Sequence, residues 1–170
     1  MLDLLRKRRS VRVYEKREIE PETIELLREA CLRSPSSRGI NPWRFLFIKD
    51  GSILEALSRA KKSGSGFLGG AALGVVVCAD ESESDVWIED CSIAAIILQL
   101  TSISLGLGSC WIQIRNRTYD GDISSEDYIR GVLNLDKKIR VESIISIGYP
   151  GEEHEPVGKD QLEYSKASVR

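Results

Sequence analysis

Apolar positions along the chain follow two periods, and each period names an element. Ile24, Leu27 and Cys31 share one face of a helix over 21–33, with Pro21 suited to its first position. The helix stops at Ser34, because a residue that precedes proline avoids helical angles. Residues 35–42 read as a polar loop and 43–48, Trp-Arg-Phe-Leu-Phe-Ile, as a strand. A short helix over 52–61 leads into a glycine-rich stretch, 64–70. Residues 73–79 are continuously apolar, as in a strand buried on both faces. A polar, acidic stretch over 81–85 precedes a long helix, 86–105, apolar all round from Cys91 onward and therefore expected to be buried on every side. In a chain of 170 residues such a helix points to a subunit interface as well as a core. A short helix over 2–8, strands over 109–115 and 141–148, a helix over 124–134 and an extended tail from Tyr149 complete the pattern.

Four strands and about five helices without strict alternation predict an α+β fold. No linker, repeat or shift in composition divides the chain, so residues 1–170 read as one domain.

Composition narrows the function classes. With 42% hydrophobic residues, 29% charged, 14 Gly and 5 Pro, the chain is neither disordered nor collagen-like. A net charge of −2 excludes a generally basic nucleic-acid coat, and 6% aromatic residues argue against base-stacking platforms. Residues 91–114 hold no charge, yet Gln99, Thr101, Ser102 and the turn at Gly106-Leu107-Gly108 fit a buried helix, a turn and a strand rather than a membrane span. Cys31, Cys78, Cys91 and Cys110 sit in apolar contexts without a Cys-x-x-Cys pair. They read as free thiols of a cytoplasmic protein, in keeping with a start that lacks a signal-peptide pattern.

Charge is skewed. Residues 1–17 hold seven basic and two acidic groups, a local +5 that leaves −7 on the rest. Arg8-Arg9-Ser10-Val11-Arg12 places three guanidinium groups and a hydroxyl within five residues, and in an extended segment Ser10 and Arg12 point the same way. Forked guanidinium donors suit a phosphate. On the local sequence alone, an anion site, a solvated basic patch and a membrane-surface tag all stay open.

Other motifs say less. Residues 64–69 spell Gly-Ser-Gly-Phe-Leu-Gly, but the dinucleotide fingerprint needs a strand before it and a helix after it. Here the order is reversed, so the stretch reads as a flexible loop. His154 is the sole histidine, in an acidic tail, which argues against a Ser-His-Asp or Cys-His hydrolase and against a histidine-rich metal site. Glu81, Glu83, Asp85, Glu89 and Asp90 read as a solvated acidic face.

Four motifs in order carry a resemblance: Arg-Arg-Ser-Val-Arg-x-Tyr at the start, Pro-Ser-Ser…Asn-Pro-Trp-Arg-Phe at 35–45, Gly-Leu-Gly-Ser-Cys-Trp-Ile at 106–112, and Ile-Gly-Tyr-Pro at 147–150. From about Leu4 to Lys159 the chain resembles the FMN-dependent nitroreductase family. The resemblance implies a three-layer α+β sandwich, a mostly antiparallel central sheet flanked by helices, in an intertwined homodimer with FMN at the interface. It assigns Arg8, Arg9, Ser10 and Arg12 to the FMN phosphate and ribityl chain. Ser36, Ser37 and Arg38 match the loop that reaches the flavin from the partner subunit, and Asn41 matches an amide at the pyrimidine edge. Ile112 and Gln113 match the strand beside N5, and Lys159 a late basic residue at the phosphate. Gly39 and Asn41 stand where the family loop often carries Asn and Gln.

The implied activity is ping-pong electron transfer from NADH or NADPH through FMN to a small acceptor such as a nitroaromatic or quinone. No side-chain acid or base is required. A narrower reaction on the same scaffold (dehalogenation, flavin fragmentation) or a non-catalytic flavin carrier are the alternatives. Neither nucleic acid nor membrane is expected as a partner.

Overall fold

The computed structural model describes all residues, Met1–Arg170. Four strands, β1 (Trp43–Ile48), β2 (Leu73–Asp80), β3 (Gly108–Gln113) and β6 (Ile139–Gly148), form one sheet in the order β1-β2-β6-β3. Every neighbouring pair is antiparallel. Alternation along β2 fixes the layers. Leu73, Val75 and Val77 join one core with helices α2 (Pro21–Leu32) and α4 (Trp87–Ser104). Val76 and Cys78 face the other core, with α3 (Gly51–Ser58) and α5 (Ser125–Leu133). The result is the expected three-layer α+β sandwich, with α1 (Leu2–Lys7) set against α4.

Local chemistry sets the helix limits. Asp50 caps α3 by accepting from the Ser52 and Ile53 N–H groups, and Ser124 caps α5 through Asp127 N–H. Asn134 ends α5 in the left-handed region, a conformation asparagine tolerates well.

Three expectations change. First, α4 is not buried all round in the single chain. Trp87, Cys91, Ala94, Ala95 and Leu98 enter the core, but Ile93 and Ile96 remain 40% and 37% exposed. With the half-buried Ile97, Leu100 and Ile103 they make an uncovered apolar stripe at helical spacing. By length and composition α4 could cross a membrane; the buried half of its surface is instead seated on the sheet and α2.

Second, the glycine-rich stretch is packed rather than loose. Leu68 is buried in the α3 core, and the Ser65 hydroxyl donates to the Ser58 carbonyl at 2.7 Å. Third, a small hairpin, β4 (Thr118–Asp120) and β5 (Ile123–Ser124), turns about Gly121. Its strands are too short and polar to give an alternating signal. All four cysteines are free and buried, as expected.

Candidate functional site

The basic segment is laid onto the sheet by main-chain bonds and two glycines. From Arg8 the chain is extended (φ −57°, ψ 125°). Ser10 bridges Ser109 at the start of β3, and Val11 N–H donates to the Ser109 carbonyl at 3.1 Å. Val11 packs over Gly108, and the Tyr14 ring over Gly148, at distances that a Cβ on either glycine would violate. The Tyr14 hydroxyl donates to the Val11 carbonyl at 2.7 Å and lies 2.7 Å from Ser146 Oγ. Burial raises its pKa, so it remains a neutral donor.

Extension sends alternate side chains to opposite sides. The charges of Arg12, Lys61 and Arg8 and the Ser10 hydroxyl all act on the Cys110 thiol. Burial pushes that thiol up, and Arg12 first among these groups pulls it back. Arg12 Cζ also lies 5.8 Å from the centre of the Phe67 ring. Arg9 points the other way. Its Nε donates to the Glu155 carbonyl at 2.8 Å and its Nη1 to the Arg8 carbonyl, while Nη2 is buried without a partner. Ser109 Oγ is a second buried, unpartnered polar atom beside the segment.

The tail returns over this segment. Gly151 N–H donates to the Val13 carbonyl at 2.9 Å, and the Glu152 carboxylate accepts from Arg12 and Val13 N–H at 2.5 and 3.1 Å. His154 Nε2 sits 3.2 Å from the same carboxylate oxygen. Farther along, Lys159 meets Arg8 and Arg9 in a cleft of about 540 Å³. Leu2, Leu5 and Leu162 also line that cleft.

The loop that holds the other assigned residues lies elsewhere. The Ser36 hydroxyl accepts from Asn41 N–H at 2.8 Å and lies 2.7 Å from Asn41 Oδ1. Ser37 N–H donates to Asp90 Oδ1 at 2.8 Å, and Arg38 pairs with Asp85. Arg38, Gly39 and Asn41 all have positive φ, 55°, 66° and 56°, which winds the loop tightly. Arg44 pairs with Glu83 at 2.6 Å and Arg140 with Glu81 at 2.7 Å, so most of the acidic stretch is taken up in ion pairs. No group of residues here has the makings of a metal site.

Register shows how far apart the two halves are. Trp43, just after the loop, pairs with Ala79 at one end of β2. Ser109 pairs with Ile147, which pairs with Leu73 at the other end. Six residues along β2 and three strand spacings across the sheet amount to about 25 Å. The two halves therefore stand at diagonally opposite corners of the sheet.

Ile112 and Gln113 end β3. The Ile112 side chain is buried in the α3 core, so only its backbone can face a ligand. The Gln113 amide is committed at both ends, accepting from Trp111 Nε1 at 2.9 Å and donating to the Arg115 carbonyl at 3.0 Å.

Two residues escaped the sequence reading. Lys61 reads from the sequence as solvent-facing charge at the end of the helix expected over 52–61, but α3 ends at Ser58; burial, and then the like charge of Arg117, push its ammonium below the usual lysine range. Glu142 had a usable signal, a lone acid in an apolar strand. It sits at a register shift in β6 and is 2% exposed; Ser92 donates to one oxygen and the other has no partner. Burial raises its pKa to about 7.

The carboxyl therefore holds its proton more tightly when folded than when unfolded. Its stabilising effect is full below about pH 4.5 and declines as pH rises through about 7. About 3 kcal/mol of stability is lost across that window. Chemical denaturation at pH 5 and pH 8 should show that decline in the parent protein and a flatter profile in Glu142→Gln. An equal decline in both would remove Glu142 as its source.

The chain is similar to proteins of one family. The model of the nitroreductase family matches residues 5–64 and 54–149. A protein of Archaeoglobus fulgidus provisionally named NADH dehydrogenase/NAD(P)H nitroreductase is 35% identical over 156 residues, covering 89% of this chain and 86% of that protein. Among solved structures, an FMN-dependent nitroreductase from Clostridium difficile R20291 superposes with a TM-score of 0.97 at 45% identity, covering 99% of this chain and 98% of the other. A Parabacteroides distasonis protein, also provisionally named NADH dehydrogenase/NAD(P)H nitroreductase, gives 0.89 at 29% identity over 99% and 96%.

Proposed function

The chain belongs to the nitroreductase family, and on that premise we propose that it is an FMN-dependent oxidoreductase working as a homodimer. It takes electrons from NADH or NADPH and gives them to a small acceptor such as a nitroaromatic or quinone, in ping-pong fashion. FMN held in this site would supply the hydride and electron chemistry that the side chains lack. The protein supplies position and electrostatics.

The observation that carries this reading is that the extended segment bonded to β3 at Ser109 bears Arg8 and Arg12, with Lys61 acting on the same Cys110 thiol, in a chain whose net charge is −2. None of these three cations has a carboxylate partner, whereas Arg44, Arg59 and Arg140 each have one. Cations left together without counter-ions suit a dianionic phosphate, and the unpartnered Arg9 Nη2 and Ser109 Oγ add donors beside them. Lys159 reaches the same segment from the tail.

Each residue then has a task. Arg8, Ser10 and Arg12 hold the phosphate. Arg9 spends two of its nitrogens on fixing the tail and keeps Nη2 free. The β3 backbone at Ile112 and Gln113 would face the ring, since the Ile112 side chain is buried and the Gln113 amide is bonded to Trp111 and Arg115. The partner's copy of the 36–41 loop completes the site, since the chain's own loop lies about 25 Å away. The uncovered α4 stripe is the surface through which that partner is held. Four buried free thiols fit a reducing cytoplasm.

The test is the visible spectrum of the purified protein after FMN is added and the excess removed. Flavin bands at about one FMN per chain are expected. They should bleach with NADH or NADPH without oxygen and recover with a nitroaromatic or quinone. No flavin retained at micromolar FMN would overturn the reading, and flavin that never bleaches would reduce the protein to a carrier. Arg12→Ala should weaken FMN binding by about 1.5–3 kcal/mol, roughly ten- to 150-fold, through loss of a charge-assisted phosphate contact. A fluorescence titration that finds unchanged affinity would take Arg12 out of the site.

A further inference from the structure

The basic segment is held on two sides. On one side is β3, through Ser109. On the other, the tail from Tyr149 runs antiparallel to it. Glu15 N–H donates to the Tyr149 carbonyl and Gly151 N–H to the Val13 carbonyl, both at 2.9 Å, and Tyr14 bridges Pro150. Farther along the tail, the Glu155 carbonyl accepts from Arg9 Nε at 2.8 Å. One place in this strap is closed differently. The N–H groups of Arg12 and Val13 have no main-chain partner. Both donate to a single side-chain oxygen, Oε1 of Glu152, at 2.5 and 3.1 Å.

Successive amides that converge on one oxygen form a small anion-binding nest. Here the chain's own carboxylate fills it. The Arg12 N–H, first among several causes, holds the Glu152 carboxyl below the usual carboxylate range, so it is charged at neutral pH.

The groups that Glu152 leaves alone matter as much. It lies beside a segment with a local charge of +5, yet its only ion-pair partner is His154, whose Nε2 is 3.2 Å from the same oxygen. No guanidinium of Arg8, Arg9 or Arg12 bonds to it. The Arg12 guanidinium keeps one long hydrogen bond, from Nη1 to the Ser10 carbonyl at 3.4 Å. The carboxylate thus grips the backbone at residues 12 and 13 and leaves the forked donors of Arg12 open. A carboxylate paired with that fork would close it to a phosphate.

We propose that Glu152 is a positioning residue of the flavin site: by clamping the Arg12 and Val13 amides to the tail, it fixes the direction in which the Arg12 guanidinium meets the FMN phosphate. This rests on the phosphate reading above. Glu152 does not touch the ligand; it acts through Arg12.

Titration with FMN and with riboflavin, which has the same ring and ribityl chain but no phosphate, tests it. In Glu152→Ala, FMN binding should weaken about tenfold, since bonds to a charged acceptor are lost, while riboflavin binding holds. Glu152→Gln keeps an oxygen that can accept both N–H bonds, and should return FMN affinity to within about threefold of the parent. Glu153→Ala, an exposed neighbour, should change neither affinity. In the Arg12→Ala background, adding Glu152→Ala should weaken FMN binding no further, because both act through one guanidinium. Where riboflavin binds too weakly to titrate, this double-variant comparison decides. Unchanged FMN affinity in Glu152→Ala, equal losses for both flavins, no recovery in Glu152→Gln, or additive losses with Arg12→Ala would each overturn the proposal alone. A parent protein that takes up no FMN overturns the phosphate reading and the proposal with it.

Discussion

Arginine in place of Ile96 is expected to leave single chains that no longer retain FMN. Ile96 lies at the centre of the α4 stripe, flanked by Ile93 one turn before it and Leu100 one turn after. Ile96 is 37% exposed, so covering the rest of it contributes about 0.5–1 kcal/mol. In a two-fold interface each residue acts twice, so one substitution removes two such contributions and places two charges in an apolar seam. An unpaired buried charge costs several kcal/mol more. Together these shift the dimer dissociation constant by several powers of ten, since each 1.4 kcal/mol is a factor of ten. The fold itself should survive, because position 96 faces outward in the single chain and the core side of α4 is untouched. Flavin is lost because the loop from Ser36 to Asn41 is diagonally across the sheet from Arg8–Arg12. Sedimentation should show one chain instead of two, circular dichroism an intact fold, and absorption no flavin. A folded monomer that keeps one FMN would show that one chain completes the site alone.

Most of the layer structure was legible because burial in a sandwich follows short periods. Residues 73–79 announce a central strand by being apolar at every position, and β2 is indeed packed on both faces. The helix over 86–105 was visible for the same reason, but its apolar composition could not say what covers each face. Only the packing shows that Ala94, Ala95 and Leu98 are buried in the core while Ile93 and Ile96 stay 40% and 37% exposed. The hairpin after β3 gave no signal, since Thr118–Asp120 and Ile123–Ser124 are held by turn geometry rather than by a buried face.

The candidate site was legible in part. Extension of residues 10–14 puts Ser10 and Arg12 on one side, an inference from backbone period alone, and both act on the Cys110 thiol. Residues that depend on distant neighbours were not legible. Lys61 matters because β3 brings Cys110 near it and a left-handed turn brings Arg117, contacts 49 and 56 residues away along the chain. Arg9 looked equivalent to Arg8, yet the returning tail claims its Nε. Such differences arise from tertiary placement, which a local motif does not encode.

The same dependence makes Gly108 a second point at which the site should fail, in a different manner. Its hydrogen leaves room for Val11, whose Cβ would stand 2.8 Å from a Cβ placed on residue 108, with both methyl groups within 2.9 Å. Neither side can yield by rotating a flexible chain end, because valine branches at Cβ and the residue belongs to a strand paired with Gly148. Gly108→Val should therefore lift residues 8–12 off the strand, breaking the Val11 N–H bond to Ser109 and the Ser10–Ser109 bridge. Overpacking of this kind costs about 1–3 kcal/mol of stability, well short of unfolding a typical domain. The effect on ligand should be larger than the effect on stability, since Arg8, Ser10 and Arg12 move together and each charge-assisted contact is worth about 1.5–3 kcal/mol. FMN affinity should fall by more than a hundredfold while the α4 seam, which lies outside the segment, keeps the protein dimeric. Loss of flavin with the dimer intact separates this variant from Ile96→Arg, in which both go together. Affinity within twofold of the parent in a folded Gly108→Val dimer would mean that the segment does not hold the phosphate.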